Sequence, residues 1–476
     1  MNKIISNLIW RFSERMLAQI VTFIVSIVLA RLLSPEEYGT VTLIMIFITI
    51  ADVFANAGFG NALIQKLNVD NIDYSSVLYV SIVVSIILYI ILYFAAPFIG
   101  AFYNDQTICT ALRVLALRIP IASFNSVQQA YVSKNMMFKR FFFSTLFGTL
   151  LSGIIGCIMA YLGFGIWALI AQYLVNTIVN TLILWFTVKW RPNLVFSFKR
   201  VKSLFSYGWK LLVSSLLDTG YNQLRSLVIG VRYSSSDLAY YNRGQQYPQL
   251  LVTNINASIS SVLFPAISQN QNDLNVVKNM TRRAIKTSSY ILWPLMFGLA
   301  VVSKPLVSLM LTDKWLPCVP FIQIACFTYG FWPIHTANLE ALKAIGRSDL
   351  FLKLEIVKKC LGVFLLVVSM NYGVMAIALS LVVSTVASSL INSYPNSKLL
   401  NYRYTQQIKD MAPSILLSTM MAIIIYPLKY VIENSLILIV VQVTLGMAIY
   451  IVFSALLKLE SYTYMLNIIK NIKISK

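Results

Sequence analysis

The chain has 476 residues, of which 58% are hydrophobic and only 12% charged, with a mean hydropathy of +0.74. Soluble domains are about half apolar and a quarter charged, so a soluble globular protein is excluded. The net charge of +21 would suggest a nucleic-acid partner on a soluble chain, but here the apolar runs must be read first.

In chain order, the apolar runs predict helices near 10–33, 38–66, 76–102, 108–133, 138–162 and 165–188. A second series follows near 204–231, 238–267, 284–311, 316–345, 352–370 and 373–396, and two more helices close the chain near 411–432 and 435–457. About 20 apolar residues at 1.5 Å each cross the ~30 Å hydrocarbon layer, and backbone groups in lipid must pair internally. The runs lack period-2 alternation, which argues against a barrel. The expected fold is therefore an all-α integral membrane protein with about 14 spans.

Charge orients it. With both termini cytoplasmic, cytoplasmic loops and tails collect about 28 of the Lys and Arg against about five outside, the positive-inside pattern. This asymmetry accounts for most of the +21 and leaves no reason to invoke nucleic acid. Met1-Asn2-Lys3 starts without a cleavable-signal pattern. The five cysteines form no C-x-x-C pair and read as small apolar residues.

The first twelve spans divide into two sets of six. The expected units are an N-terminal lobe 1–188, a basic cytoplasmic linker 189–203, a second lobe 204–397, two added spans in 398–458 and a basic tail 459–476. A shift of 200 residues sets Ser34 on Ser234, Glu37 on Asp237 and Asn56 on Asn256, consistent with a parallel repeat bracketing a central path.

Charges inside spans are costly and mark function or pairing. Arg113 and Arg118 fall in the fourth span, Arg118 ~15 Å deep, with Pro120 expected to kink the helix beside it. Arg11 and Arg15 fall near the inner end of the first span, and Arg225 and Arg243 in the outer parts of the seventh and eighth. An Arg-dominated set suits a phosphate or pyrophosphate, which guanidinium binds bidentately. The competing readings are a pair between Arg118 and Asp52 or Asp218, and snorkelling for Arg11, Arg15 and Arg243. Asp52 and Asp218 are candidate ion-coupling carboxylates or structural partners. Asn125, Gln128, Asn222 and Asn256 are polar candidates for a wet path carrying a sugar-bearing cargo, each also explicable as an interhelical contact. The lone His335 reads as a polar helix contact. No phosphate-binding loop, catalytic triad or metal cluster is recognisable, so neither a catalytic residue nor a metal ligand is assigned. No cofactor is expected, and a proton or sodium ion remains open as the coupling ion.

Several runs resemble Wzx-type polysaccharide flippases of the multidrug/oligosaccharidyl-lipid/polysaccharide superfamily. They are Ala30-Arg31-Leu32-Leu33-Ser34-Pro35-Glu36-Glu37-Tyr38-Gly39, Tyr240-Tyr241-Asn242-Arg243-Gly244-Gln245-Gln246 with Pro248, Gly346-Arg347-Ser348-Asp349, Leu352-Lys353-Leu354-Glu355, and Tyr394-Pro395-Asn396. The resemblance implies a V-shaped bundle of two six-helix lobes plus two helices, working by alternating access with a cationic central cavity. It implies flipping of an undecaprenyl-pyrophosphate-linked oligosaccharide across a bacterial inner membrane, for lipopolysaccharide O-antigen or exopolysaccharide assembly, with other assembly proteins as partners. The alternatives are an ion-coupled exporter of amphipathic cations and a membrane-embedded polymerase of lipid-linked sugars. The acidic cavity of related drug exporters fits these Arg-rich spans poorly, and no loop is long enough for a polymerase domain.

Overall fold

The computed structural model describes the backbone of residues 2–56 and 58–474, and the side chains of 16–56, 58–206 and 208–467. Long apolar stretches punctuated by Gly, Pro and Asn turns produce helices throughout, and no strand occurs among the described residues. In order they are α1 (Asn2–Leu32), α2 (Pro35–Asn56), α3 (Phe59–Gln65), α4 (Asn71–Phe102), α5 (Gln106–Leu115), α6 (Arg118–Lys134), α7 (Phe138–Tyr161), α8 (Ile166–Thr187) and α9 (Phe198–Arg232). Then follow α10 (Ser235–Gln269), α11 (Leu274–Leu311), α12 (Val319–Gly330), α13 (Trp332–Ala344), α14 (Ser348–Ser369), α15 (Val374–Leu399), α16 (Tyr404–Ile425), α17 (Ser435–Leu456) and α18 (Glu460–Ile474).

Ten stretches among the described residues are long and apolar enough to cross a membrane, counting α2–α3 and α5–α6 as one each. The other four expected spans fall short for visible reasons. The apolar part of α1 in the described region is Met16–Leu32, α12 and α13 are 12 and 13 residues long, and α9 and α14 carry charges along their first halves. Several helices start earlier than the apolar pattern suggested: α11 at Leu274 and α16 at Tyr404, because amphipathic turns extend them beyond the apolar run. The basic tail is helical as α18.

Breaks sit where backbone chemistry demands them. The fourth span divides into α5 and α6 at Ala116-Leu117, immediately before Pro120, whose nitrogen cannot donate to the preceding turn. The second divides at Gly58, which adopts φ 71°. A Cβ at Gly58 would also run into the backbone carbonyl of Gly208 on α9. Glycine is required there twice over.

The chain folds into two compact units, 1–239 and 240–476. Within the first, α9 packs on α2, α3 and α4, and the segment linking α8 to α9 is pinned along α4. The Ser75 and Ser76 hydroxyls accept from the backbone N–H groups of Asn193 and Ser197 at 2.9 Å each, Tyr79 donates to the Asn193 carbonyl, and the Trp190 indole donates to Asn71. Residues 189–197 thus form a docked strap, its polar backbone satisfied by α4. Asp70 and Asp73 cap α4 reciprocally, and Arg200 pairs with both. Tyr74, Leu63, Val127 and Trp190 close the core behind them. In the second unit, Trp293, Phe331, Ile334, Ala341 and Tyr402 form the corresponding core.

Candidate functional site

The turns that opened each half do the same work. Ser34 N–H donates to the Glu37 carboxylate at 2.6 Å while Glu37 N–H donates to Ser34 Oγ at 3.2 Å, a capping box at the start of α2. Ser234 and Asp237 make the same reciprocal pair at 3.3 and 3.1 Å before α10. The 200-residue correspondence therefore has a shared physical function, since each box satisfies two orphan N–H groups. Gly39 lies directly on the Ser235 backbone, where any Cβ would collide.

The embedded charges resolve individually. Arg118 Nη1 reaches Asp52 Oδ2 at 3.0 Å, and its Nε reaches Thr177 Oγ1 at 3.2 Å. Both ionic side chains keep about a quarter of their surface accessible (26% and 24%), so the pair stands at the edge of open space. Arg113 lies against α4, its Nε donating to the Tyr93 carbonyl and its guanidinium stacked 4.2 Å from the Tyr93 ring. Arg225 is buried over Tyr221, with Nε and Nη2 finding no hydrogen-bond partner. Arg243 is also buried, over Trp315 at 5.1 Å, with Nη1 donating to Gln246. The Arg11 and Arg15 side chains lie outside the described residues.

The polar candidates differ in burial. Asn125 donates to Asn180, and Gln128 donates to the Trp190 carbonyl; both are buried. In the second unit Asn256 accepts from Thr336. Asn222 and Asp218 are exposed on α9.

A polar opening lies in this region, at a position the sequence did not give. At the α2–α3 break opens a cavity of about 260 Å³, with Asn56, Asn61, Ser81, Ser126, Gln129 and Ser133 among its walls and no charged side chain among the described lining residues. Ser126, Gln129 and Ser133 fall on one face of α6, the same helix that begins with Arg118. At 1.5 Å per residue, Gln129 stands roughly 16 Å along α6 from Arg118. The amides donate and accept, as a sugar requires.

A second polar cluster was also missed. Asn338, Ser393, Asn396 and Gln407 are fully buried and joined across α13, α15 and α16. Asn338 Nδ2 donates to Gln407 Oε1 at 2.7 Å, Asn396 Nδ2 donates to Asn338 Oδ1 at 2.7 Å, and Ser393 Oγ donates to Gln407 Oε1 at 2.9 Å. Beside it Asn392 contacts His335 Nδ1 at 2.9 Å, which gives the lone histidine a polar helix partner. The Tyr394-Pro395-Asn396 motif was the available signal.

A family profile described as polysaccharide biosynthesis protein matches residues 28–320, more than half of the chain. The chain belongs to that family. Among curated relatives, the succinoglycan biosynthesis transport protein ExoT of Rhizobium meliloti is 23% identical over 68% of this chain and 66% of its own length, so the match spans just under two thirds of that relative. The lipopolysaccharide biosynthesis protein WzxC of Escherichia coli K12 is 22% identical, covering 86% of this chain and 84% of its own. These matches bear out the Wzx-type resemblance. The fold is that of a solved structure of the lipid II flippase MurJ in an inward closed conformation, with TM-score 0.74 and 17% identity over 95% of this chain and 98% of that one. An inward-facing multidrug-resistance MATE transporter of the MOP superfamily follows at TM-score 0.64, 16% identity, 82% and 99% coverage. This family member is accordingly a multi-pass, all-α membrane protein with the architecture of these transporters.

Proposed function

We propose that this protein is a flippase for a lipid-linked oligosaccharide, carrying an undecaprenyl-pyrophosphate-linked repeat unit from the cytoplasmic to the outer leaflet of a bacterial inner membrane. All 14 expected helices cross the membrane, both termini are cytoplasmic, and two six-helix halves alternate access. The observation that carries the reading is the placement along α6 of Arg118, a guanidinium held ready by Asp52 and Thr177, and a neutral polar cavity roughly 16 Å further on. Pyrophosphate oxygens can replace Asp52 on the guanidinium, while amide and hydroxyl walls receive an uncharged sugar. Arg113 and Arg225, in the same unit as Arg118, add to the positive field that holds the anion. The protein acts as a carrier rather than an enzyme and feeds a downstream polysaccharide-assembly apparatus. A proton or sodium gradient supplies the direction, with exposed Asp218 as the candidate coupling carboxylate. The cation-exporter reading is disfavoured because Asp52 is already engaged by Arg118.

The test is the leaflet position of lipid-linked oligosaccharide in spheroplasts with and without the protein, read with a membrane-impermeant glycan-oxidising probe. Glycan exposed only after lysis in cells lacking the protein supports flipping. Equal exposure in intact cells of both strains refutes it.

A further inference from the structure

We propose that the groove between α11 and α18 binds the phosphate of an anionic phospholipid headgroup, locking the C-terminal helix to the bundle. This inference is independent of the cargo assigned above. The starting observation is an imbalance of charge. Arg282 forms a bidentate pair with Asp410, at 2.7 and 2.8 Å, and Tyr402 donates to the same carboxylate at 2.8 Å. Lys286 is shared between Asp410 and Glu460. These contacts engage both carboxylates of the cluster. Arg283, exposed on the adjacent turn of α11, makes no ion pair among the described residues; its guanidinium lies 4.7 Å from the Tyr464 ring centre on α18.

Arg283 lines a cavity of about 350 Å³ whose other walls are Lys286, Thr287, Glu460, Ser461, Thr463, Tyr464 and Asn467, the Glu460 carboxylate being held by Lys286. Two cations, Arg283 and Lys286, with hydroxyl and amide donors outweigh the one carboxylate in this lining, Glu460, and a guanidinium so placed has the chemistry of a phosphate site. Its position selects a lipid rather than free phosphate. At the end of α17, one turn before α18, Leu456 and Leu457 are 69% and 63% exposed, as acyl-facing residues are. On its inner side α18 packs Tyr462 and Met465 against the Tyr290–Tyr450 cluster. The groove therefore stands where an apolar belt meets a basic polar end, which is headgroup level. Further Lys residues follow in sequence at 470, 473 and 476.

The experiment uses the full chain, delipidated in detergent and examined by native mass spectrometry with added dioleoyl phosphatidylglycerol, dioleoyl phosphatidylcholine or inorganic phosphate. Wild type should retain phosphatidylglycerol in preference to phosphatidylcholine. Arg283→Ala should weaken that retention about tenfold, the scale of one charge-assisted hydrogen bond, and Arg283→Lys should recover part of it. Thr287→Val, which leaves every cation in place, should weaken it by a smaller factor and guards against misfolding of the arginine variant. Equal retention by wild type and Arg283→Ala would overturn the site. Release of the lipid by millimolar phosphate would overturn its assignment to a headgroup.

Discussion

The Arg118–Asp52 pair makes the sharpest prediction, because structural and transport roles call for opposite responses to the same substitutions. At 3.0 Å and an effective dielectric of 20, the Coulomb attraction alone is about 5 kcal/mol. Each side chain is about a quarter accessible, so desolvation and screening bring the net coupling to about 1–3 kcal/mol, between surface and buried limits. A double-mutant cycle of Arg118→Gln and Asp52→Asn, read by thermal unfolding in detergent, should return a coupling of that size. The leaflet assay then separates the roles. If Arg118 grips pyrophosphate, Asp52→Asn leaves transport largely intact by freeing the guanidinium. Arg118→Lys then retains a fraction, and Arg118→Ala abolishes transport in protein that still inserts. If Arg118 serves only to hold α2 to α6, the double variant regains the transport that each single change loses. Wild-type export by a well-expressed Arg118→Ala protein would refute the gripping role outright.

Three further outcomes follow from the fold. Asn338→Leu leaves Gln407 and Asn396 without their buried partner and should destabilise the second unit by about 2–4 kcal/mol, seen as a lowered unfolding midpoint; an unchanged midpoint would mean that this network is not strongly coupled to folding. Gly58→Ala combines a positive φ with a collision against the Gly208 carbonyl, so membrane yield should fall, whereas Gly60→Ala, where a Cβ meets nothing within 4 Å, should be tolerated. Asp70 sits below the usual carboxylate range, first because Asp73 N–H donates to it; burial opposes this, and the hydrogen bond and charge of Arg200 lower it further. Its folded value lies below the unfolded one, so its contribution is present above the ordinary aspartate range near pH 4 and is lost as pH falls through the folded value. Arg200→Ala should shift that acid loss upward in pH, measured by unfolding midpoints between pH 3 and 6.

Much of this was legible in the residues. Apolar length fixes which segments can live in lipid, because hydrophobic transfer acts residue by residue. Pro120 ended a helix where its missing N–H required. The Ser34/Glu37 and Ser234/Asp237 pairs announced two helix starts, since a capping box is complete within four residues. The resemblance to polysaccharide flippases rested on such local turns and held.

The partners of the polar residues were not legible. Arg118 had Asp52 and Asp218 as equal candidates by sign alone, and only the packing of α6 against α2 and α8 selected Asp52 and added Thr177. Asn125 and Gln128 carry the same chemistry as Gln129, four and one positions away. Yet the first two point into the unit, to Asn180 and the Trp190 carbonyl, while Gln129 lines a cavity. A polar side chain on a membrane helix reads alike in sequence whether it faces a neighbour or an opening, because helical rotation by 100° per residue decides the facing and tertiary contacts decide the rotation. The Asn338–Gln407 network joins residues 69 positions apart for the same reason. Sequence determined that this chain crosses a membrane and carries arginines into it; the packed helices alone decided which of those arginines are paired and where an uncharged cavity opens beside them.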